Sequence, residues 1–301
     1  VRSLLIVNPF ASRVDEARLA AVLAELPGAE VLRTEGRGHA TELAREAEAA
    51  GVERLYVYSG DGGFNEVVNG IGGRVPLGFL PGGGTNVFSR ALGVPRDPVE
   101  AARRLATGTP RRISLGRANG RRFTFSCGIG IDAEAVRRLD ALGRSPDGRR
   151  PSDVVFARTL AGLVLGRSYA EPSLEVVEIQ PSVSVTQSLP RAASFALVAN
   201  VAPYTYVGRL GLRPHPGVTP EGGLELVAPE RFRLRSLPRF GLYVLRGRGA
   251  DTARDLVYGH DLDRAVIRCH RPLPLQVDGE DLGDATEVVL EAERDAISVL
   301  A

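Results

Sequence analysis

Ser59-Gly60-Asp61-Gly62-Gly63-Phe64-Asn65-Glu66 and Pro81-Gly82-Gly83-Gly84-Thr85-Asn86 are the stretches that decide how this chain is read. Each follows an apolar run that reads as a buried strand, Leu55–Tyr58 and Pro76–Leu80. Each precedes a segment with helical spacing, Phe64–Ile71 and Val87–Leu92. A strand, a glycine turn and a helix start together make a phosphate cradle. Glycine lets backbone N–H groups approach an anion closely, and the helix N-terminus adds partial positive charge. One such turn is a weak signal. Two in consecutive strand–helix units, one with an aspartate at its apex, point to a nucleoside triphosphate with a divalent metal.

Outward from these loops, strand-like runs (Ser3–Val7, Ala29–Arg33) alternate with helix-like runs (Val14–Leu26, Ala40–Ala50, Pro98–Thr107). Alternation with short connections predicts a parallel sheet covered on both faces, whose ligands sit beyond the carboxyl ends of the strands. Asn8-Pro9, Thr34, Ser59–Gly63 and Pro81–Asn86 all fall at such ends. From Arg112 onward short alternating runs dominate, among them Phe123–Ser126, Leu174–Ile179, Ser194–Ala199, Arg264–Cys269 and Leu275–Val277. These suggest a sandwich or curled sheet. Helical interruptions are expected at Asp132–Leu142, Asp153–Leu165 and Arg235–Leu245. The expected class is therefore α/β: a parallel α/β nucleotide-binding domain over 1–111 and a β-rich sandwich domain over 112–290, with 291–301 able to pack back on the first.

With 44% apolar and 25% charged residues the composition is that of a soluble globular protein. No apolar run reaches the roughly 18 residues that span a bilayer. The chain opens directly into a strand, so no signal peptide is expected and the location is read as cytoplasmic, at most peripheral to a membrane. A net charge of +2 argues against a dedicated nucleic-acid binder. All 38 basic residues are arginine, which excludes a Schiff base, a lysine general base and a P-loop lysine. Any side-chain cation on a phosphate must be arginine, and Arg13 is the candidate. Cys127 and Cys269 lack CxxC spacing and read as buried free thiols. His270 beside Cys269 has no second ligand pair to suggest zinc.

In order along the chain, several segments resemble the diacylglycerol kinase catalytic-domain family, which includes bacterial lipid kinases and sphingosine and ceramide kinases. They are Asn8-Pro9, Thr34 with Gly38-His39-Ala40, Ser59-Gly-Asp-Gly with Glu66-Val-Val-Asn69-Gly, and Pro76 to Asn86 with Leu92-Gly-Val-Pro95. Gly128-Ile-Gly-Ile-Asp132, Asn200, Gly208, Gly222-Gly-Leu224 and Val277-Asp278-Gly279-Glu280 continue the series. The resemblance implies ATP and Mg2+ as cofactors, a lipid hydroxyl as acceptor, and an active site in the cleft between the two domains. There are departures. The family's usual Gly-Gly-Asp-Gly-Thr has Ser59 first and Gly63 last here, and Val87 stands where aspartate is common. Glu221-Gly-Gly-Leu-Glu225 replaces the Asp-Gly-x-x-Asp segment that many bacterial relatives associate with a structural Mg2+.

On that footing Asp61 acts through Mg2+ on the phosphates. Gly60, Gly62, Gly63, Gly82, Gly83 and Gly84 supply backbone donors, and Asn8, Thr34, Glu66, Thr85 and Asn86 line the nucleotide. Asp278 takes the acceptor hydroxyl's proton, Asp132 faces the acceptor headgroup, and Glu221 and Glu225 are the candidate ligands of the second metal. Plainer roles stand beside these. Asp61 and Glu66 can hold turns, His39 can serve a helix start, Asp132 can cap a helix, and Asp278-Gly279 can be an ordinary hairpin turn. The apolar helix with Phe156, Leu160, Leu163 and Val164 reads as a lipid slot or as core. Arg144, Arg149, Arg150, Arg158 and Arg167 near it read as a membrane contact or a solvated face. Implied partners are a lipid acceptor and a transient membrane surface, not nucleic acid; a homodimer is compatible. Two other functions fit the loops: an NAD kinase-like small-molecule kinase, and a catalytically weak nucleotide-binding protein. Diacylglycerol, a sphingoid base, ceramide and an isoprenoid alcohol are all compatible acceptors.

Overall fold

Strands whose side chains are buried almost without interruption need cover on both faces, and that is how the N-terminal half is built. The computed structural model describes residues 2–143, 153–166, 168–181, 188–207, 210–215, 217–246, 249 and 252–301. Arg144, Arg149, Arg150, Arg167 and Gly208 lie outside the described residues. The chain divides into two compact units, Val1–Leu115 with Arg294–Ala301, and Gly116–Glu293.

In the first unit the order is β1 (Ser3–Val7), α1 (Glu16–Glu25), β2 (Glu30–Arg33), α2 (His39–Ala49), β3 (Arg54–Ser59), α3 (Asp61–Gly70), β4 (Leu77–Pro81), α4 (Val87–Ala91), α5 (Pro98–Ala106) and the start of β5 (Pro110–Ala118). The sheet runs β2-β1-β3-β4 and is parallel throughout, with Ile6 opposite Leu32 and Val57, and Val57 opposite Phe79. Val299, near the C-terminus, joins in parallel beside Leu77. Helix starts follow local chemistry. Asp15 accepts from Arg18 N at 2.8 Å, and Asp97 accepts from Val99 N and Glu100 N with Pro98 in the first turn. Phe64 of α3, Phe79 of β4 and Phe88 of α4 pack in series, tilted and then edge to face, with centroids 4.9 and 5.1 Å apart. This fully buried trio fixes the two helices that leave the glycine loops.

The second unit is β-rich, as the alternating runs predict. It holds β6 (Arg121–Phe123), β7 (Ser126–Ile129), α6 (Ile131–Ala141), α7 (Asp153–Leu165), β8 (Leu174–Gln180), β9 (Arg191–Ala193), β10 (Ala196–Ala199), β11 (Thr205–Val207), β12 (Leu210–Leu212), β13 (Leu224–Pro229), α8 (Leu237–Arg246), β14 (Leu256–Leu262) and β15 (Arg264–Val277), then most of β16 (Glu280–Leu300). Antiparallel pairing gives the order β14-β13-β10-β7-β15-β16. β15 serves two neighbours. Arg264–Cys269 pairs with β8 and Leu275–Val277 with β7, and its register to β16 shifts between Arg268 and Leu273. Pro272 and Pro274 lie at that irregularity, where a strand loses ladder donors. Both cysteines are free and buried, and burial pushes the Cys269 thiol up to about 11. Among the described residues no helix is long and apolar enough to cross a membrane.

One buried group makes this unit acid-sensitive. His215 is enclosed, stacks on Tyr204 with ring centroids 5.5 Å apart, and has Nε2 3.0 Å from Leu197 O, while its Nδ1 finds no partner among the described residues. Burial lowers its pKa to about 4. The unfolded chain takes up the proton below about pH 6.5 and the native one only near 4. Stability therefore falls as pH falls through that window, by at most about 3 kcal/mol. Urea unfolding of wild type and His215→Phe at stepped pH is expected to show a shallower acid decline in the variant; parallel profiles would contradict this.

Candidate functional site

The first glycine stretch is not a loose turn. α3 begins at Asp61, so Asp61, Gly62 and Gly63 form its first turn, three residues earlier than the hydrophobic spacing suggests. Gly60 is the cap residue, and Phe64 N returns to Gly60 O at 3.2 Å. A helix leaves its first-turn N–H groups without carbonyl partners, so these glycine amides are oriented donors. Ser59, at the end of β3, is buried, and its Oγ has no hydrogen-bond partner among the described residues. It lies directly under Gly63, where a Cβ would stand 2.1 Å from that Oγ.

The second stretch is locked against the first. Gly82 N donates to Ser59 O at 2.7 Å. Asn86, at φ 51°, accepts from Gly83 N at 2.8 Å and donates from Nδ2 to Gly83 O at 2.7 Å. Asp61 spans both loops: its carboxylate oxygens accept from Val87 N at 3.0 Å and Phe88 N at 3.1 Å, the opening amides of α4. The β1–α1 connection is tied in as well, Arg13 N donating to Gly82 O at 2.9 Å and Tyr58 Oη to Arg13 O at 3.0 Å. Asn8 forms a turn there, its side chain accepting from Phe10 N at 3.0 Å. Thr34 is buried at the end of β2, its N–H bonded to Val7 O. Glu66 turns to the start of α2, accepting from Ala40 N at 3.2 Å, and His39 Nδ1 accepts from Glu35 N at 3.0 Å. Thr85 O accepts from Arg90 at 3.4 Å.

The glycines thus divide by task. A Cβ on Gly83 would sit 2.8 Å from Gly60 Cα, and on Gly82 3.2 Å from the Ser59 backbone, so these positions let two main chains touch. Gly84 faces open space. Gly83→Ala is expected to cost about 1–3 kcal/mol in denaturant unfolding because backbone has to move. Gly84→Ala is expected to stay within about 0.5 kcal/mol. Equal effects would contradict this division.

The candidate residues of the second unit are engaged in other ways. Asp278 and Gly279, at φ 50° and 78°, form the two-residue turn between β15 and β16, the hairpin geometry that Asp-Gly favours. The Asp278 side chain turns inward. Its Oδ2 accepts from Thr124 N at 2.6 Å and Thr124 Oγ1 at 2.8 Å, and its Oδ1 from Phe125 N at 2.9 Å and Ser126 N at 3.1 Å. Asp132 does not cap its own helix, whose cap is Gly130. It is buried and accepts from Tyr204 Oη and Gln276 Nε2, both at 2.7 Å, and burial raises its carboxyl above the usual range. Gly128 makes room for it, since a Cβ there would meet Asp132 Oδ2 at 2.2 Å.

Glu225, the buried member of the candidate metal pair, is engaged by protein donors. Glu225 is wholly buried and accepts from Tyr258 Oη at 2.6 Å, from His260 Nδ1 at 2.6 Å and from Gly217 N at 3.0 Å, whereas Glu221 is exposed. These three donors converge on Oε1, and Gly217 N also reaches Oε2 at 3.2 Å. Among the described residues no cluster of three or more His, Cys, Asp or Glu is arranged to hold a metal ion. EDTA is expected to leave the thermal midpoint unchanged, while Glu225→Ala lowers stability by about 2–3 kcal/mol by orphaning its donors. A fall in midpoint with EDTA that Mg2+ reverses would restore the metal.

Ser59, Thr124, Tyr204, Tyr258, His260 and Gln276 carry much of this geometry and have no assigned role in the motif reading. Only Ser59 had a signal, its place in the glycine stretch. Thr124 meets a partner 154 positions away, and nothing in a Phe-Thr-Phe-Ser run marks it.

Residues 2–118 match the family described as "Diacylglycerol kinase catalytic domain". A diacylglycerol kinase from Bacillus subtilis is 37% identical over 138 residues, 43% of this chain and 46% of that protein. The chain spans less than half the length of the curated relatives it matches. In fold it resembles a diacylglycerol kinase from Bacillus anthracis, with TM-score 0.73, 21% identity, and 99% and 96% of the two chains covered. More distantly it resembles an NAD kinase from Archaeoglobus fulgidus, solved with ATP, at TM-score 0.51, 10% identity, and 99% and 93% covered.

Proposed function

We propose, from the premise that this chain belongs through residues 2–118 to the diacylglycerol kinase catalytic-domain family, that it transfers the γ-phosphate of ATP to a lipid hydroxyl. The observation that carries the reading is the locked pair of glycine loops. The first-turn amides of α3 and the open face of Gly84 form a cradle of donors, with the buried Ser59 hydroxyl beneath Gly63. These residues fit a triphosphate. Asp61 and Gly82–Asn86 hold the cradle's shape, and Asn8, Thr34, Glu66 and Thr85 support its rim.

ATP, arriving with Mg2+, supplies the phosphoryl group and most of its charge neutralisation. Asp61 would hold that ion, directly or through water, while its carboxylate accepts from the α4 amides. In the second unit Asp278 is assigned to the acceptor's proton. Among the donors named above, the three backbone N–H groups are fixed. The Thr124 hydroxyl rotates, and its release opens one lone pair to an alcohol. Asp132, with Tyr204 and Gln276, is assigned to the headgroup side.

The experiment incubates the purified chain with γ-labelled ATP and either extracted membrane lipids or NAD. Label in a lipid supports the proposal. Label in NAD would replace it with the NAD kinase-like reading, which the likeness of fold favours as runner-up. Tight ATP binding with label in neither would leave a nucleotide-binding protein.

A further inference from the structure

One helix carries an apolar stripe to the outside and has only arginines for company. α8 is anchored on one side: Phe240 packs on Phe195 and Phe232 at centroid distances of 6.1 and 5.1 Å, Leu237 joins the same core, and Val244 O accepts from Arg213 N at 2.7 Å. Leu237, Phe240 and Tyr243 therefore face inward, Tyr243 against Val227, Ala253 and Leu256. The opposite stripe runs through Pro238, Leu242 and Leu245, at spacings of four and three, so these lie on one face. Leu242 is 42% exposed and Leu245 53%, and Leu234, just before the helix, is 38% exposed.

Charge decides what such a face meets. Residues 231–246 hold five arginines and no carboxylate. Arg231 and Arg233 are drawn to Glu171, and Arg239 pairs with Asp255. Arg235 and Arg246, both exposed, make no ion pair among the described residues and flank the leucine stripe at either end. Leucines between these arginines suit the boundary between acyl chains and anionic headgroups. A second copy of the chain would bring the same arginines against these and be repelled.

We infer that the outer face of α8, with Leu234, Arg235, Leu242, Leu245 and Arg246, docks on an anionic lipid bilayer. This deepens the lipid-kinase reading and rests on it for its purpose, since it names the surface from which the acceptor is taken.

The test is co-sedimentation of the full chain with vesicles of phosphatidylcholine, with and without phosphatidylglycerol, at low and high salt. Wild type is expected to bind the phosphatidylglycerol vesicles, to ignore phosphatidylcholine alone, and to release as salt rises. Each arginine contributes roughly fivefold near an anionic surface, so Arg235→Gln/Arg246→Gln should weaken binding by tenfold or more, and Leu242→Ser/Leu245→Ser should also abolish most of it. Equal binding to both vesicle types, or variants that bind as tightly as wild type, would overturn the inference. So would a Leu242→Ser/Leu245→Ser protein that changes from dimer to monomer without lipid, because the face would then belong to a second copy. Thermal midpoints matching wild type establish that the variants fold. Phosphorylation of a short-chain diacylglycerol in detergent micelles is run alongside and is expected to be equal in all three proteins. No product even from wild type defeats the kinase reading, while the vesicle result still decides the surface.

Discussion

Replacing Asp61 by alanine or asparagine should lower phosphate transfer at least a hundredfold while leaving a folded protein. Two losses combine. The α4 amides of Val87 and Phe88 lose a charged acceptor, a capping loss of about 1–2 kcal/mol. Removal of one preorganised electrostatic group from a transferring centre costs about 10²–10³ in turnover. Asparagine keeps one acceptor oxygen, so Asp61→Asn should recover much of the stability and none of the rate. Unfolding midpoints and lipid phosphorylation measured on both variants separate the effects. Activity within a few fold of wild type in Asp61→Asn would reduce Asp61 to a helix cap.

The larger structural effect is expected at Asp278. Its carboxylate satisfies three backbone N–H groups and a hydroxyl in a buried setting. Alanine orphans all four, so a loss of about 3 kcal/mol or more follows, and the second unit should unfold first. Asparagine presents an NH2 to at least one backbone donor and should cost nearly as much. Its catalytic assignment is read separately, through Thr124→Val, which removes only the rotating donor. If Asp278 serves the acceptor, Thr124→Val changes the pH dependence of turnover with the KM for ATP unchanged. A flat response in turnover, with Asp278→Asn harming stability alone, would leave Asp278 as the pin of the β15–β16 hairpin.

The two units differ in how far the residues announce them. Parallel strands such as Leu55–Ser59 and Leu77–Pro81 are buried on both faces, so they appear as apolar runs between glycine and helix signals. The glycines at 60, 82 and 83 mark the loops for the same reason they are needed there: a Cβ at any of them would press on the facing backbone. What spacing misses is direction. It does not tell that Asp61 faces the next helix instead of its own, or that the helix begins at Asp61 instead of Phe64. In the second unit the alternating runs reveal strands but not partners. β15 pairs with β8 at one end and β7 at the other, and the Glu225–Tyr258–His260 set joins residues of separate strands. Such polar contacts are fixed by long-range packing, and a carboxylate's surroundings then decide whether it takes a metal, a proton or only backbone donors.

The most direct measurement is hydrogen exchange of the whole chain with and without ATP and Mg2+. If the paired loops hold the triphosphate, amides in peptides covering Ser59–Phe64 and Gly82–Phe88 slow on nucleotide addition, and Gly84→Ala weakens that protection without loss of stability. Unchanged exchange in both peptides, with protection appearing elsewhere, would contradict the account.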